Sequence, residues 1–336
     1  MFIQKLRSTS AAFMDRAFDL ESRLINRRGR FVACYHRVLP AAQARDEWVH
    51  DSMWITPATF ESQIRWFQKI GEIVPYQRLL DFTRPNAQPL FSITFDDGWI
   101  DNFTIAEPIL QRLDVPFTIF LTTSVMEKGH LIWPEDVTLK TRQALSSTSD
   151  AEIRRCIQPL FSRPPGTREN LPIRIMLQEA IEELKLITET ERTERIGHFF
   201  ESLRLSEEPL RGHMMTWADA EEMRRRGVYF GSHSHTHRIC SEASQEELCC
   251  ELETSMDQFQ RNLAVKIDAF AYPNARYKGS EASALRETGY LYAFRLHNLP
   301  VESDQNPYFI PRYICCERTA RSPGLMSLRF LNVPFF

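Results

Sequence analysis

Two uncharged runs, "LFSITF" (90–95) and "VPFTIFL" (115–121), constrain the fold more than any other feature of the chain. Each has the length and the β-branched and aromatic content of a buried strand. Further strand-like runs, "FVACYH" (31–36), "VYFGS" (228–232) and "DAFAY" (268–272), alternate with helical patterns, and two more lie near "YLYAF" and "YFIPRYI". Thr56 and Pro57 open a helix that carries Phe60, Ile64, Phe67 and Ile70 on one face and closes at Gly71. A second helix is expected over Phe103–Leu113 and a third after the cap Thr216. Ser244 and Glu247 have capping-box spacing for a fourth, which buries Leu248, Leu252, Met256, Phe259 and Leu263, and another follows Ser280. Strands that alternate with helices indicate a mostly parallel sheet or a barrel.

The alternation breaks over residues 125–213, where charged helix-forming segments and a Pro-rich turn replace strand runs. This segment is expected to be a helical insertion, either a lid or acceptor-recognition element or a packing elaboration. The chain divides accordingly into an N-terminal amphipathic helix (1–30), a barrel (31–124 and 214–320), the insertion, and a C-terminal tail (321–336). In the first segment Phe13, Ala17, Leu20, Leu24 and Ile25 fall at helical spacing. That pattern suits a helix docked on the domain, with peripheral membrane contact as the other use of such a face.

Composition limits the partners. With 336 residues, 43% hydrophobic content and a net charge of −3, the chain can build a substantial core and lacks the basic surface that nucleic acid requires. No apolar run approaches the roughly 20 residues of a membrane-spanning helix. Seven cysteines without a C-x-x-C pair and without a visible signal peptide lead us to expect reduced thiols and a cytoplasmic location. Oligomeric state is not legible.

Two motifs carry chemistry. The first strand-like run, "LFSITF", ends on Asp96, Asp97 and Gly98. Successive side chains of a strand point to opposite sides, so the two acids are expected to hold two roles rather than one doubled role. The second motif, "GSHSHTH" (231–237), places three of nine histidines within five positions directly after a strand. His233 and His237, four apart, can converge on one metal if the segment turns helically, and His235 can point elsewhere. A solvated histidine-rich loop and an ordinary acidic turn are the plain alternatives, and the joint presence of both motifs argues against them. Two histidines and one carboxylate leave open positions on a divalent ion, which polarises a carbonyl and brings the pKa of water to about 7. The second acid could then take a proton from that water.

"TFDDG" (94–98) together with "HSHTH" (233–237) resembles the polysaccharide deacetylases, the NodB-like carbohydrate esterases of family 4. The resemblance extends through "FVACYHRVL", "ITPATFESQIRWF" and "AFAYPNARY", over 31–124 and 214–315. It implies an α/β fold, a distorted (β/α)7-type barrel with the helical segment inserted. It further implies that Asp96 is the catalytic base and that Asp97, His233 and His237 hold a divalent metal, zinc by default. The implied substrate is an N-acetylated amino sugar in an oligosaccharide, glycolipid or polysaccharide.

The third family motif, R-x-P-[YF], is matched only in part by "AYPN" (271–274), where Ala271 replaces the arginine that orients the base. Arg312 or Arg276 could supply that arginine, and the N–H of Asn274 could serve as oxyanion donor. Tyr272, Arg312 and Trp99 complete the expected oxyanion and substrate side. "ACYHRV" (33–38) resembles an early segment of the circularly permuted poly-N-acetylglucosamine deacetylases, which makes His36 the preferred general acid, with His297 as the alternative. An O-acetyl esterase on the same site and a non-catalytic metal- or carbohydrate-binding relative remain open.

Overall fold

The computed structural model describes residues 19–127, 129–162, 170–319 and 322–331. Its contacts divide the chain into two compact units, one of Ala42–Val49 with Lys128–His213 and the other of the remaining chain.

The larger unit is built on seven strands: β1 (Arg30–Tyr35), β2 (Leu90–Phe95), β3 (Phe117–Leu121), β4 (Tyr229–Ser232), β5 (Ala269–Ala271), β6 (Tyr292–Leu296) and β7 (Ile310–Ile314). Each pairs in parallel with the next, and β1 pairs with both β2 and β7, so the sheet closes into a barrel. A short eighth strand, Glu72–Ile73, flanks the start of β2. The expected (β/α)7-type barrel is therefore the observed fold.

Strand alternation sorts the side chains into two layers. Val32, Leu90, Phe120, Ala271, Phe294 and Ile310 pack in one cluster. Their neighbours Phe31, Tyr35, Phe91, Phe95 and Ile119 join the larger cluster that packs with the surrounding helices. Gly231 in β4 makes room for the inner layer, because a Cβ there would lie 2.6 Å from the Phe120 ring and 2.9 Å from the Ala269 carbonyl.

The helices start where the sequence places caps. Thr56 accepts from the Thr59 N–H ahead of Pro57–Ile70, and both Thr216 and Ser244 form reciprocal capping boxes. The helix after β2 differs from expectation in opening with a wide π-type turn over Asn102–Ala106 before Glu107–Arg112. Asn102 is buried in that turn and donates to the His36 carbonyl at 2.7 Å. Wide turns of this kind recur where a helix has a functional task.

At the N-terminus, Leu20–Arg27 is helical with Leu24 buried, while Phe13 and Ala17 lie outside the described residues. Residues 323–330 form a helix capped by Ser322, and Phe330 stacks on Tyr313 with ring centroids 4.4 Å apart. The second unit contains the helices Trp133–Ala144, Asp150–Ile157, Ile173–Leu184 and Glu189–Ser202 around Ile153, Met176, Leu177 and Phe199. Lys140, buried in this unit, is paired with Asp136 at 2.7 Å. No helix among the described residues is long and apolar enough to cross a membrane.

Candidate active site

The C-terminal ends of the barrel strands bring the motif residues together, the position where barrel enzymes place their chemistry. β1 delivers His36, β2 delivers Asp96 and Asp97, and β4 delivers His233. The loop after β4 delivers His237, and β7 contributes Arg312 from within the barrel wall.

Asp96 continues the inward-facing register of Leu90 and Thr94. It is 2% exposed, and its two carboxylate oxygens receive Arg312 Nη1 and Nη2 at 2.7 Å each. Arg312 is fully buried, lies 5.3 Å above the Phe120 ring and also reaches Thr94 Oγ1 at 3.3 Å. The Cys34 thiol donates to Asp96 Oδ2 at 3.4 Å, and His36 Nε2 lies 4.0 Å from the same oxygen. Burial, the largest single influence, would raise the Asp96 carboxyl, but the Arg312 charge and hydrogen bonds together with the charges of His233 and His36 outweigh it and hold Asp96 below the usual carboxylate range. Burial pushes the Cys34 thiol well up, which keeps it a neutral donor. Burial also lowers His36, against the pull of Asp97 and Asp96, so the resting imidazole is neutral near pH 7.

Asp97 turns away from this pocket. The expectation of opposed side chains rests on a regular strand, whereas the extended strand has ended by Asp97, whose φ is 75°. Gly98 follows at φ 90° with Leu121 so close that a Cβ would sit 2.8 Å from its Cδ2, which is why the acid pair is followed by glycine. Asp97 Oδ1 then lies 3.3 Å from His233 Nε2 and 3.5 Å from His237 Nε2, and Trp99 Nε1–H donates to Oδ2 at 2.9 Å. Burial would raise Asp97, but its bonds to His233 and His237 hold it well below the usual range.

The histidine segment also reaches its geometry by another route than a helical turn. Ser234 and His237 both adopt left-handed backbone, φ 65° and 60°, and the chain folds back so that the two rings meet edge to face, 5.0 Å apart. His235 points away and bonds Thr123 Oγ1 at 2.9 Å.

These residues fit a divalent ion. His233 Nδ1 lies 2.8 Å from the Ala271 carbonyl, which can only accept, so the proton sits on Nδ1 and the lone pair of a neutral ring is on Nε2. That lone pair faces a carboxylate oxygen, an arrangement that a divalent cation between them would satisfy. All three ligand atoms lie within 4.8 Å of one another. The edge of a tetrahedral site with bonds of about 2.1 Å is about 3.4 Å, which matches the observed 3.3 and 3.5 Å.

Other expected residues fall elsewhere. Of the two arginines considered for the missing motif position, Arg312 is the one on Asp96, which it engages through both oxygens. Trp99 and Tyr272 are each 1% exposed: the indole serves Asp97, and the Tyr272 hydroxyl donates to the Tyr308 carbonyl at 3.0 Å. Neither offers a ring face to solvent. Asn274 is partly buried in a left-handed turn, φ 54°, directly after β5. His297 is exposed and belongs to neither cluster of ligand-type side chains. Sequence reasoning missed Cys34, whose inward position on β1 was the available signal, and the contribution of Trp99 to Asp97.

The sequence profile of the polysaccharide deacetylase family matches residues 83–157 and 188–293, more than half of the chain, and the chain belongs to that family. YxkH of Bacillus subtilis (strain 168), described as a polysaccharide deacetylase, is 30% identical over 86 residues, 24% of this chain and 31% of YxkH. The aligned part thus spans less than a third of that relative. The structure of IcaB from Ammonifex degensii is similar over 90% of this chain and 97% of that one, with 16% identity and a TM-score of 0.58. A de-N-acetylase from Aggregatibacter actinomycetemcomitans is similar over 86% of this chain and 95% of its own, with 14% identity and a TM-score of 0.55. At these identities the likeness is one of fold.

Proposed function

We propose that this protein removes the N-acetyl group from an amino sugar in an oligosaccharide, glycolipid or polysaccharide, with a divalent ion, zinc by default, held by Asp97, His233 and His237. The observation that carries the proposal is the division between two adjacent acids: Asp97 faces two imidazoles, and Asp96 faces a guanidinium. The family and the de-N-acetylase fold neighbour support the substrate class.

The ion supplies Lewis-acid polarisation of the acetyl carbonyl. The protein's own groups handle position and protons. Asp96 is ionised, and three donors engage it, Arg312 twice and Cys34 once, which leaves a lone pair on Oδ1 for a proton from water. The water oxygen adds to the acetyl carbon, the C–N bond breaks, and acetate leaves with that oxygen. His36, neutral at rest and 4.0 Å from Asp96, is placed to accept the proton and pass it to the departing amine nitrogen. The N–H of Asn274, at the end of β5, is the oxyanion donor in this scheme.

Acetate release from defined N-acetyl and O-acetyl oligosaccharides tests the reading. Release from N-acetyl substrates supports it. Release from esters alone replaces it with an O-acetyl esterase, and release from neither leaves a binding protein.

A further inference from the structure

We infer that Glu251, on the helix Gln245–Leu263, is a positioning residue that sets the ion affinity of the Asp97–His233–His237 site; this rests on the metal-site reading above. The two histidines bracket a turn whose backbone is doubly strained, with Ser234 and His237 in the left-handed region. Residues with a Cβ disfavour that region, so the turn needs outside restraint to persist.

Glu251 supplies it from the rear. The consecutive N–H groups of His235 and Thr236 donate to its Oε2 at 2.9 and 2.8 Å, and the Thr236 hydroxyl donates to Oε1 at 2.7 Å. One carboxylate therefore gathers the amides that lie between the two ligands. Its position on the helix is fixed in turn by the capping box at Ser244 and by Leu248 and Leu252, which pack in the main core. The opposite side of the turn is held by β3 and its loop: Thr123 N–H donates to the Ser234 carbonyl at 3.3 Å and Ser124 N–H to the His235 carbonyl at 2.9 Å. The turn is thus clamped between a carboxylate that takes its amides and a loop that takes its carbonyls.

The clamp requires one oxygen that accepts both N–H groups; a carboxylate supplies it with charge, and a carboxamide supplies it without, its NH2 turned to the Thr236 hydroxyl as acceptor. Glu251→Gln therefore keeps the contacts and loses the charge, whereas Glu251→Met, of similar length, loses the acceptors. The turn would then lose a restraint, and the two imidazoles their fixed separation, without the loss of either ligand.

Zn2+ affinity of the chelator-stripped protein, measured by competition against a chromophoric chelator, tests this for wild type, Glu251→Ala, Glu251→Met, Glu251→Gln and His237→Ala. Circular dichroism on the same samples confirms the fold. Ion affinity should fall roughly 10- to 100-fold in Glu251→Ala and Glu251→Met and by a smaller factor in Glu251→Gln, with the proteins folded. A purely structural role would lower thermal stability and leave the affinity of the folded protein unchanged. Wild-type affinity in folded Glu251→Ala overturns the inference; if that variant does not fold, wild-type affinity in Glu251→Met does so. If wild type binds no more tightly than His237→Ala, the metal-site reading fails first and the role of Glu251 fails with it.

Discussion

Arg312 grips Asp96 through both oxygens at 2.7 Å, from a strand 216 residues later in the chain. The arginine that the family motif would place on β5 is Ala271 here, and β7 supplies a guanidinium from another side of the same barrel. The Asp96 carboxyl lies below its ordinary value, so Asp96 is ionised above that value and loses its charge only as pH falls through it. Without Arg312, burial prevails and the carboxyl rises. Arg312→Ala should therefore move the acid limb of the pH–rate profile to higher pH. It should also destabilise the protein by about 3–5 kcal/mol, the cost of stranding one partner of a buried pair. Denaturant melts with pH–activity curves on the same protein check both, and an unmoved acid limb counts against the pairing as the source of the shift.

Trp99 bears on Asp97, and through it on the proposed metal site. Its indole N–H holds Asp97 Oδ2 while Arg37 lies 4.3 Å over the ring, and Arg37 is bound at 2.9 Å to Asp101. Trp99→Phe keeps most of the packing and removes one donor. Ion affinity should weaken roughly 10-fold with little change in fold. Isothermal titration with Zn2+ reads this directly.

Gly231 is a packing requirement, not a conformational one. Gly231→Ala would press a methyl into Phe120, the ring beneath Arg312, at a cost of about 1–3 kcal/mol. Because Phe120 supports Arg312, activity should drop further than stability alone explains. Comparison of the melting midpoint with acetate release well below it separates the two effects.

His36 and His297 make different predictions. His36→Ala should slow turnover by about 10²- to 10⁴-fold, the usual worth of a positioned acid or base, and leave ion content unchanged. His297→Ala, at an exposed position, should do little to either. Rates for the two variants with metal analysis decide between them.

Much of this site is legible in the sequence because it is local. "TFDDG" is a strand end, and "HSHTH" follows another strand, so the parallel barrel places them on one face without further information. The division of Asp96 from Asp97 also follows from strand alternation, although the structure completes it with a left-handed turn at Asp97. What was not legible depends on closure of the barrel. Arg312 could be proposed for Asp96 but not chosen over Arg276, because only the β7–β1–β2 pairing fixes which arginine faces inward. Glu251, and the bond from Trp99 to Asp97 where a substrate contact was expected, escaped for a related reason: each acts through a hydrogen bond to a proposed ligand or its backbone, and spacing carries no mark of such a bond. Phe13 and Ala17 of the expected N-terminal helix lie outside the described residues.

The account rests on two neighbouring carboxylates with separate duties, and Asp96→Asn tests it in one sample. Acetate release and bound-metal content should be measured together on the purified variant. The account predicts wild-type metal content with turnover abolished, since Asp97, His233 and His237 remain and the base is gone. Retained turnover, or metal lost along with activity, would contradict it.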